Sequence, residues 1–117
     1  YIDDPDPVVR MSLVNFAGYG CDKLYCDLDK RVRRAVAKHG DHLDFLINDP
    51  NPEVRAEVAK HGYNLDYFID KRGGDVFIVA REIIGQGYRV EKFIDDIDER
   101  TASLARKKLQ EMNKMTV

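Results

Sequence analysis

The sequence contains no tryptophan, only two cysteines and four prolines, and almost no excess charge of either sign. Two cysteines cannot build a disulfide framework, which excludes the class of small disulfide-stapled secreted domains. The 19 basic and 21 acidic residues leave a formal charge of −2. The chain as a whole therefore has no electrostatic footprint that would indicate nucleic-acid or membrane binding.

Long apolar runs and targeting segments are also missing from the sequence. No stretch approaches the ~20 apolar residues that a membrane span requires, and the first residues lack the pattern of a signal peptide. With 44% hydrophobic residues in a chain of 117, the composition and length suit a single folded domain, 1–117. We therefore expect a soluble cytoplasmic protein with no membrane association.

What the sequence does contain is an internal repeat of about 22 residues. The clearest copies span 27–48 and 49–70, and the string Val-Ala-Lys-His-Gly ends the first half of each. A copy at 4–26 opens with Asp-Pro-Asp-Pro-Val-Val-Arg, and a degenerate copy at 71–95 has extra residues around Gly73-Gly74. Several positions recur together, which predicts one repeat architecture for the chain.

Within each copy the apolar residues follow a helical spacing. Val54, Val58 and Ala59 stand at i, i+4 and i+5, as do their counterparts in the other copies, which places them on one helix face. The aspartate before each run is a candidate N-cap. A glycine stands where each of these helices should end, at Gly40, Gly62 and Gly87. A second, shorter apolar pattern follows, so each copy pairs a long helix with a short one that must pack on its neighbours.

The segment 49–55, Asp-Pro-Asn-Pro-Glu-Val-Arg, resembles the second-helix signature of HEAT-like repeats. The shortened first helix and the short period resemble the leucine-rich repeat variant form of that class, over nearly all of the chain up to Asp95. The resemblance implies an all-α fold, an α-solenoid (right-handed superhelix) of about four short repeats. It also implies a non-enzymatic binding scaffold. Ala80 departs from the pattern, because the other copies carry arginine at that place.

The two ends of the chain differ from the repeats. Residues 96–113 carry one apolar stripe between charged residues, which predicts an amphipathic C-terminal capping helix. The stripe consists of Ile97, Thr101, Leu104, Ala105, Leu109 and Met112. At the other end, the first three residues match the end of a short helix at 68–70, without a preceding Met. We therefore expect this chain to be a fragment of a longer repeat array.

The most regular polar pattern joins an arginine in the long helix to an aspartate at the start of each copy. The arginines are Arg10, Arg33 and Arg55, and the aspartates are Asp4, Asp27 and Asp49. One interpretation is a scaffold ladder that holds consecutive copies in register, and the other is a phosphate-binding arginine track. The ladder is favoured, because a residue that recurs in every copy usually serves the interface between copies.

The outward side of the long helices is the best candidate for a binding surface. A basic row is predicted there, at Arg34, Lys38, His39, Lys60, His61 and Arg81. Tyr63 and Tyr88 follow helix-ending glycines and are candidate anchors, since tyrosine is enriched at binding hot spots. Such a surface suits an acidic peptide or protein, and alternatively a nucleic-acid phosphate backbone. A third hypothesis is that this piece is only the structural end of an array and binds nothing by itself.

No catalytic residues, no cofactor and no metal site are expected. The sequence offers no plausible Ser-His-Asp or Cys-His set and no phosphate-binding glycine loop after a strand. A metal site needs three or four converging ligands, and Cys21 or Cys26 would have to join the histidines from a different copy. Cys21 stands where Leu43 stands in the next copy, which favours a small buried hydrophobe.

Overall fold

The computed structural model describes residues 2–115, with side chains over 2–114, and all regular secondary structure there is helical. The α-helices in that range are α1 (Pro7–Ala17), α2 (Cys21–Leu24), α3 (Lys30–His39), α4 (Leu43–Leu46), α5 (Pro52–Lys60), α6 (Leu65–Asp70), α7 (Phe77–Gly85) and α8 (Glu99–Met115). A 3₁₀ turn occupies Val90–Lys92. The predicted all-α class is confirmed.

The helices belong to two compact units, residues 1–61 and 62–117. In the first unit α3 packs against α1 and against α5, and the short helices α2 and α4 also contact α3. In the second unit α8 packs against α7 and against the 3₁₀ turn. None of the helices in the described part of the chain is long and apolar enough to cross a membrane.

The apolar face that the spacing predicts for each long helix is buried. In the first unit, Val32, Val36 and Val58 are completely shielded from solvent. In the second unit, Val79 and Ile83 are buried to the same extent, together with Ala102 and Ala105 of α8. Each of the valine and isoleucine side chains contributes about 1.5–3 kcal/mol on burial, so the burial of these faces favours the packing of the helices.

Each long helix of the first unit begins with the same turn of two polar residues. Asp27 accepts the amide N–H of Asp29 at 2.9 Å, and Asp29 caps α3 by accepting the N–H of Arg31 at 2.8 Å. The same two hydrogen bonds precede α1, α5 and α8. The prediction that Asp27 itself is the N-cap is therefore wrong by two residues. The first aspartate closes an Asx-turn and keeps its other oxygen free for a different partner.

That partner is the arginine of the preceding copy. Arg33 Nε lies 2.6 Å from Asp49 Oδ2 and its second nitrogen 3.2 Å from Oδ1, while Nη1 donates to the Asp27 carbonyl at 2.8 Å. Arg10 makes the equivalent fork to Asp27 and the equivalent bond to the Asp4 carbonyl. Both pairs are largely buried. The ladder interpretation of these arginines is thus confirmed for these two rungs.

Each turn between a long and a short helix contains two residues with a left-handed backbone conformation. The predicted helix-ending glycines Gly40, Gly62 and Gly87 have φ values of +92°, +70° and +72°, which confirms that assignment. Two residues later a second left-handed residue enters each short helix, and it is not restricted to glycine: His42 and Asn64 take φ values of +54° and +45°. Each such residue costs roughly 1–2 kcal/mol, so the packing of the short helix must offset that strain.

The C-terminal helix starts three residues later than the predicted range, at Glu99. Ile97 was placed in its apolar stripe, and that prediction is wrong, because Ile97 lies in the capping turn and is fully exposed. Thr101 and Ala105 of the same stripe are buried, and Leu104, Leu109 and Met112 are partly buried. The turn at 96–98 repeats the hydrogen bonds of the other long helices, so α8 begins like one more copy of the repeat.

Replacement of Arg33 by alanine should leave the Asp49 carboxylate, only 2% exposed, without its cation. We expect a loss of about 3–5 kcal/mol in the free energy of unfolding, because a buried charge then has no partner. The matched control is Arg31→Ala on the same helix, which removes an exposed pair with Asp29 and should cost at most about 1 kcal/mol. Urea unfolding followed by circular dichroism compares them, and equal losses would contradict a buried ladder.

Candidate functional site

A groove of about 270 Å³ lies on the first unit where α1, α3 and the start of α5 meet. Its lining residues are Met11, Asn15, Lys30, Arg31, Arg34, Ala35, Lys38, Asn51 and Glu53. Basic side chains dominate this lining, and Glu53 is the carboxylate among them. The groove is therefore electropositive although the chain as a whole is slightly acidic.

The helix geometry of α3 explains how the cations collect. Lys30, Arg34 and Lys38 stand at i, i+4 and i+8, so they form one stripe on the side of α3 opposite Val32 and Val36. With a rise of 1.5 Å per residue, the first and last of them are roughly 12 Å apart along the helix. Sequence analysis included Arg34 and Lys38 but missed Lys30 and Arg31, although the same spacing extended one turn earlier would have found Lys30.

The cations of the groove differ in how they are held. Arg31 is paired with Asp29 at 2.9 Å, and Arg34 reaches Glu57 Oε1 at 3.3 Å. Lys60, another predicted site residue, contacts the same Glu57 oxygen at 3.4 Å, and this carboxylate is buried. By contrast, Lys30 and Lys38 are exposed and form no ion pair with any residue that the structure describes.

The two predicted histidines lie at helix ends and have partners of their own. His39 Nδ1 lies 2.7 Å from Asp41 Oδ2. His61 Nε2 lies 3.1 Å from the carbonyl oxygen of Lys38, at the C-terminal end of α3. The structure therefore links both histidines to the last turn of α3, but it does not include them in the lining of the groove.

The remaining predicted residues belong to the second unit. Arg81 lines a different small cavity of about 240 Å³ there, together with Lys107, Lys108 and Glu111. Tyr63 is exposed. Arg81, Tyr63 and Tyr88 are therefore not among the residues that line the α3 groove, and their role in binding stays a prediction.

Tyr88 is tied to a cluster of charged residues. Its hydroxyl donates to Asp66 Oδ1 at 2.7 Å, and Arg89 forks between Asp66 and Asp70. The hydrogen bond to Asp66 raises the pKa of Tyr88, and the same bond together with Arg89 lowers the pKa of Asp66. Because its hydroxyl is already engaged, Tyr88 is available to a partner chiefly through its exposed ring.

A second group of polar side chains meets beside the end of α3. Cys21 Sγ, one ring nitrogen of His39 and a carboxylate oxygen of Asp41 all lie within 4.8 Å of one another. The hydrogen bond from His39 is the main cause that lowers the pKa of Asp41. Burial, with a further hydrogen bond to Asp41, raises the pKa of Cys21 to about 11. Cys21 thus joins His39 from a different copy, and the two residues come together because α2 and α3 pack against each other.

Comparison with known proteins yields no match to the chain among family models, curated proteins or solved structures. Two places in the first unit have side chains suited to binding. The groove offers a line of cations to an acidic ligand, and the Cys21–His39–Asp41 cluster offers the three side-chain types that bind transition metals.

The two cysteines should differ strongly in reactivity toward a thiol reagent such as dithionitrobenzoate. Cys26 is exposed and should react rapidly, whereas Cys21 is only 5% exposed and its raised pKa leaves little thiolate near neutral pH. We expect one fast-reacting thiol in the native protein and a second one only after unfolding in guanidinium. Cys26→Ser should abolish the fast phase, and a fast phase that survives in this variant would contradict the burial of Cys21.

Proposed function

We propose that this chain is a non-enzymatic binding scaffold that holds an acidic segment of a protein partner in the groove along α3. The scaffold is a HEAT-like α-solenoid that follows a right-handed superhelix. The observation that carries the proposal is the line of Lys30, Arg34 and Lys38 across a groove in an otherwise weakly acidic chain.

The solenoid part of the proposal is supported by the contacts between consecutive copies. α3 packs against the equivalent helices α1 and α5 on either side, and the Arg10–Asp27 and Arg33–Asp49 forks join the same neighbours. A copy in such an arrangement contacts only its nearest neighbours, which is the defining property of repeat scaffolds. The helices of scaffold proteins commonly present one continuous face to a partner, and α3 has its charged stripe on such a face.

An acidic peptide is the ligand that fits the groove best. Lys30 and Lys38 form no ion pair among the described residues, so incoming carboxylates there need not displace one. Their separation of roughly 12 Å matches the distance between side chains four residues apart in an extended chain. Met11 and Ala35 add apolar surface to the groove for contact with the aliphatic part of the peptide's side chains. Asn15 provides an amide that can donate or accept a hydrogen bond.

Sequence-independent nucleic-acid binding is the alternative, and two observations disfavour it. Arg31 is paired with Asp29 and Arg34 with Glu57, so only Lys30 and Lys38 of the groove have no ion pair among the described residues, whereas a phosphate backbone gains its affinity from many such cations. The net charge of −2 also gives no long-range attraction to a polyanion. Few phosphate contacts remain possible, and binding through them would weaken sharply with salt.

The test measures fluorescence anisotropy of a labelled peptide that carries glutamates four residues apart, at low and near-physiological salt. The double charge reversal Lys30→Glu/Lys38→Glu should weaken binding by about tenfold or more, because two attractive contacts become repulsive. The matched control, Lys23→Glu/Lys71→Glu, makes the same change in net charge at exposed lysines outside the groove. It should change the affinity by no more than about twofold.

Three outcomes would contradict the proposal in different ways. Equal weakening in both variants would show that the peptide responds to net charge and not to the groove. Tighter binding of random single-stranded or duplex oligonucleotides, lost in Lys30→Glu/Lys38→Glu, would establish the nucleic-acid alternative. Absence of binding to every probe, even at low salt, would favour a purely structural role for this chain.

A further inference from the structure

The Cys21–His39–Asp41 cluster stands out because it interrupts the repeat at two positions that meet in space. Cys21 occurs where the next copies have Leu43 and Leu65, and Asp41 occurs where the next copy has Tyr63. The third member, His39, keeps its residue type in the following copy, where the equivalent residue is His61. The residues one repeat later that correspond to Cys21, His39 and Asp41 are therefore a leucine, a histidine and a tyrosine, which cannot supply the same three ligands.

We propose that Cys21, His39 and Asp41 form a binding site for a single borderline-soft divalent transition-metal ion such as Zn²⁺, with a water molecule as the fourth ligand. The three donors are a thiolate sulfur, an imidazole nitrogen and a carboxylate oxygen, which is a set that suits tetrahedral zinc. Their ligand atoms already lie within 4.8 Å of one another. Around tetrahedral zinc such atoms are about 3.5 Å apart, so small side-chain rotations suffice.

The imidazole of His39 is held in place before any metal arrives. The ring lies against Gly18, so closely that a Cβ on that residue would come within 2.2 Å of Nε2. On its other side Nδ1 meets Asp41 at 2.7 Å. In the next copy His61 is much less confined, since a Cβ on Gly40 would stay 3.4 Å from its ring. A fixed imidazole loses less conformational freedom when it binds a metal, which favours His39 over His61.

The environment of the cluster suits a cation and lets it enter. The cluster lies at the C-terminal end of α3, where the helix dipole favours positive charge. His39 and Asp41 are each nearly half exposed, which leaves a path for the ion and room for a water ligand. In the metal-free protein Asp41 is hydrogen-bonded to His39, and the Cys21 sulfur lies within 4.8 Å of both ligand atoms. When the ion binds, the Cys21 thiol releases its proton to solvent and the sulfur bonds to the metal in its place.

The experiment uses the full chain after removal of metals by chelator, titrated with Co²⁺ as a spectroscopic substitute for Zn²⁺. We expect one equivalent of Co²⁺ to bind, with a thiolate-to-cobalt charge-transfer band in the near ultraviolet and the strong visible bands of four-coordinate cobalt. One equivalent of Zn²⁺ should then displace the Co²⁺ and remove both the charge-transfer band and the visible bands. Absence of the charge-transfer band with Co²⁺ in excess, or bands that Zn²⁺ does not remove, would overturn the proposal.

Matched variants assign the ligands. Cys21→Ser should remove the charge-transfer band, and Cys26→Ser, at the exposed cysteine outside the cluster, should retain it. His39→Gln and Asp41→Asn should each weaken Co²⁺ binding by at least the ~10–100-fold typical of losing a metal-site partner, while His61→Gln should leave it unchanged. If Cys21→Ser does not fold, the variants at the half-exposed ligands His39 and Asp41 still test the site. Loss of the band in Cys26→Ser, or an equal effect of His39→Gln and His61→Gln, would refute this ligand set.

Discussion

The arginine fork between consecutive copies is the interaction on which the rest of the first unit depends. Arg33 binds the backbone carbonyl of Asp27 in its own copy and the carboxylate of Asp49 in the next, and both ion-paired side chains are largely buried. A single copy cannot satisfy such a charge, because its partner belongs to the neighbour. The same carboxylates also close the turns that start the helices, so one residue type determines where a helix begins and where its neighbour packs.

This arrangement leaves the exposed side chains of one face of α3 outside both the apolar core and the arginine ladder. The apolar residues at i, i+4 and i+5 are buried in the core, and the arginines of the fork pair with the neighbouring copy. The side chains on that face are Lys30, Arg34 and Lys38, and the buried Glu57 of α5 pairs with both Arg34 and Lys60. Glu57 therefore limits the basic row that the sequence predicts, and the electropositive region narrows to the groove along α3.

Periodicity predicted the parts of the fold that repeat. The buried faces at Val32 and Val54, the helix-ending Gly40 and the arginine ladder all recur in sequence, so their common role could be deduced from recurrence. The exact N-cap could not, because an aspartate can either cap a helix or close an Asx-turn, and only its pairing with the arginine of the preceding copy decides between them. Left-handed His42 and fully exposed Ile97 were missed as well, because the sequence pattern favours neither a left-handed backbone at a histidine nor an exposed isoleucine.

The cluster beside α3 escaped prediction because its members are separate in sequence and come together only when α2 packs against α3. Sequence spacing tests for metal sites within one helix or loop, whereas a stacked repeat places the end of one copy against the start of another. The useful signal was the coincidence of two departures from the repeat, Cys21 and Asp41, around a histidine that the repeat retains. In a repeat protein the scaffold accounts for what recurs, so residues that break the pattern and converge in space are those most in need of a functional explanation.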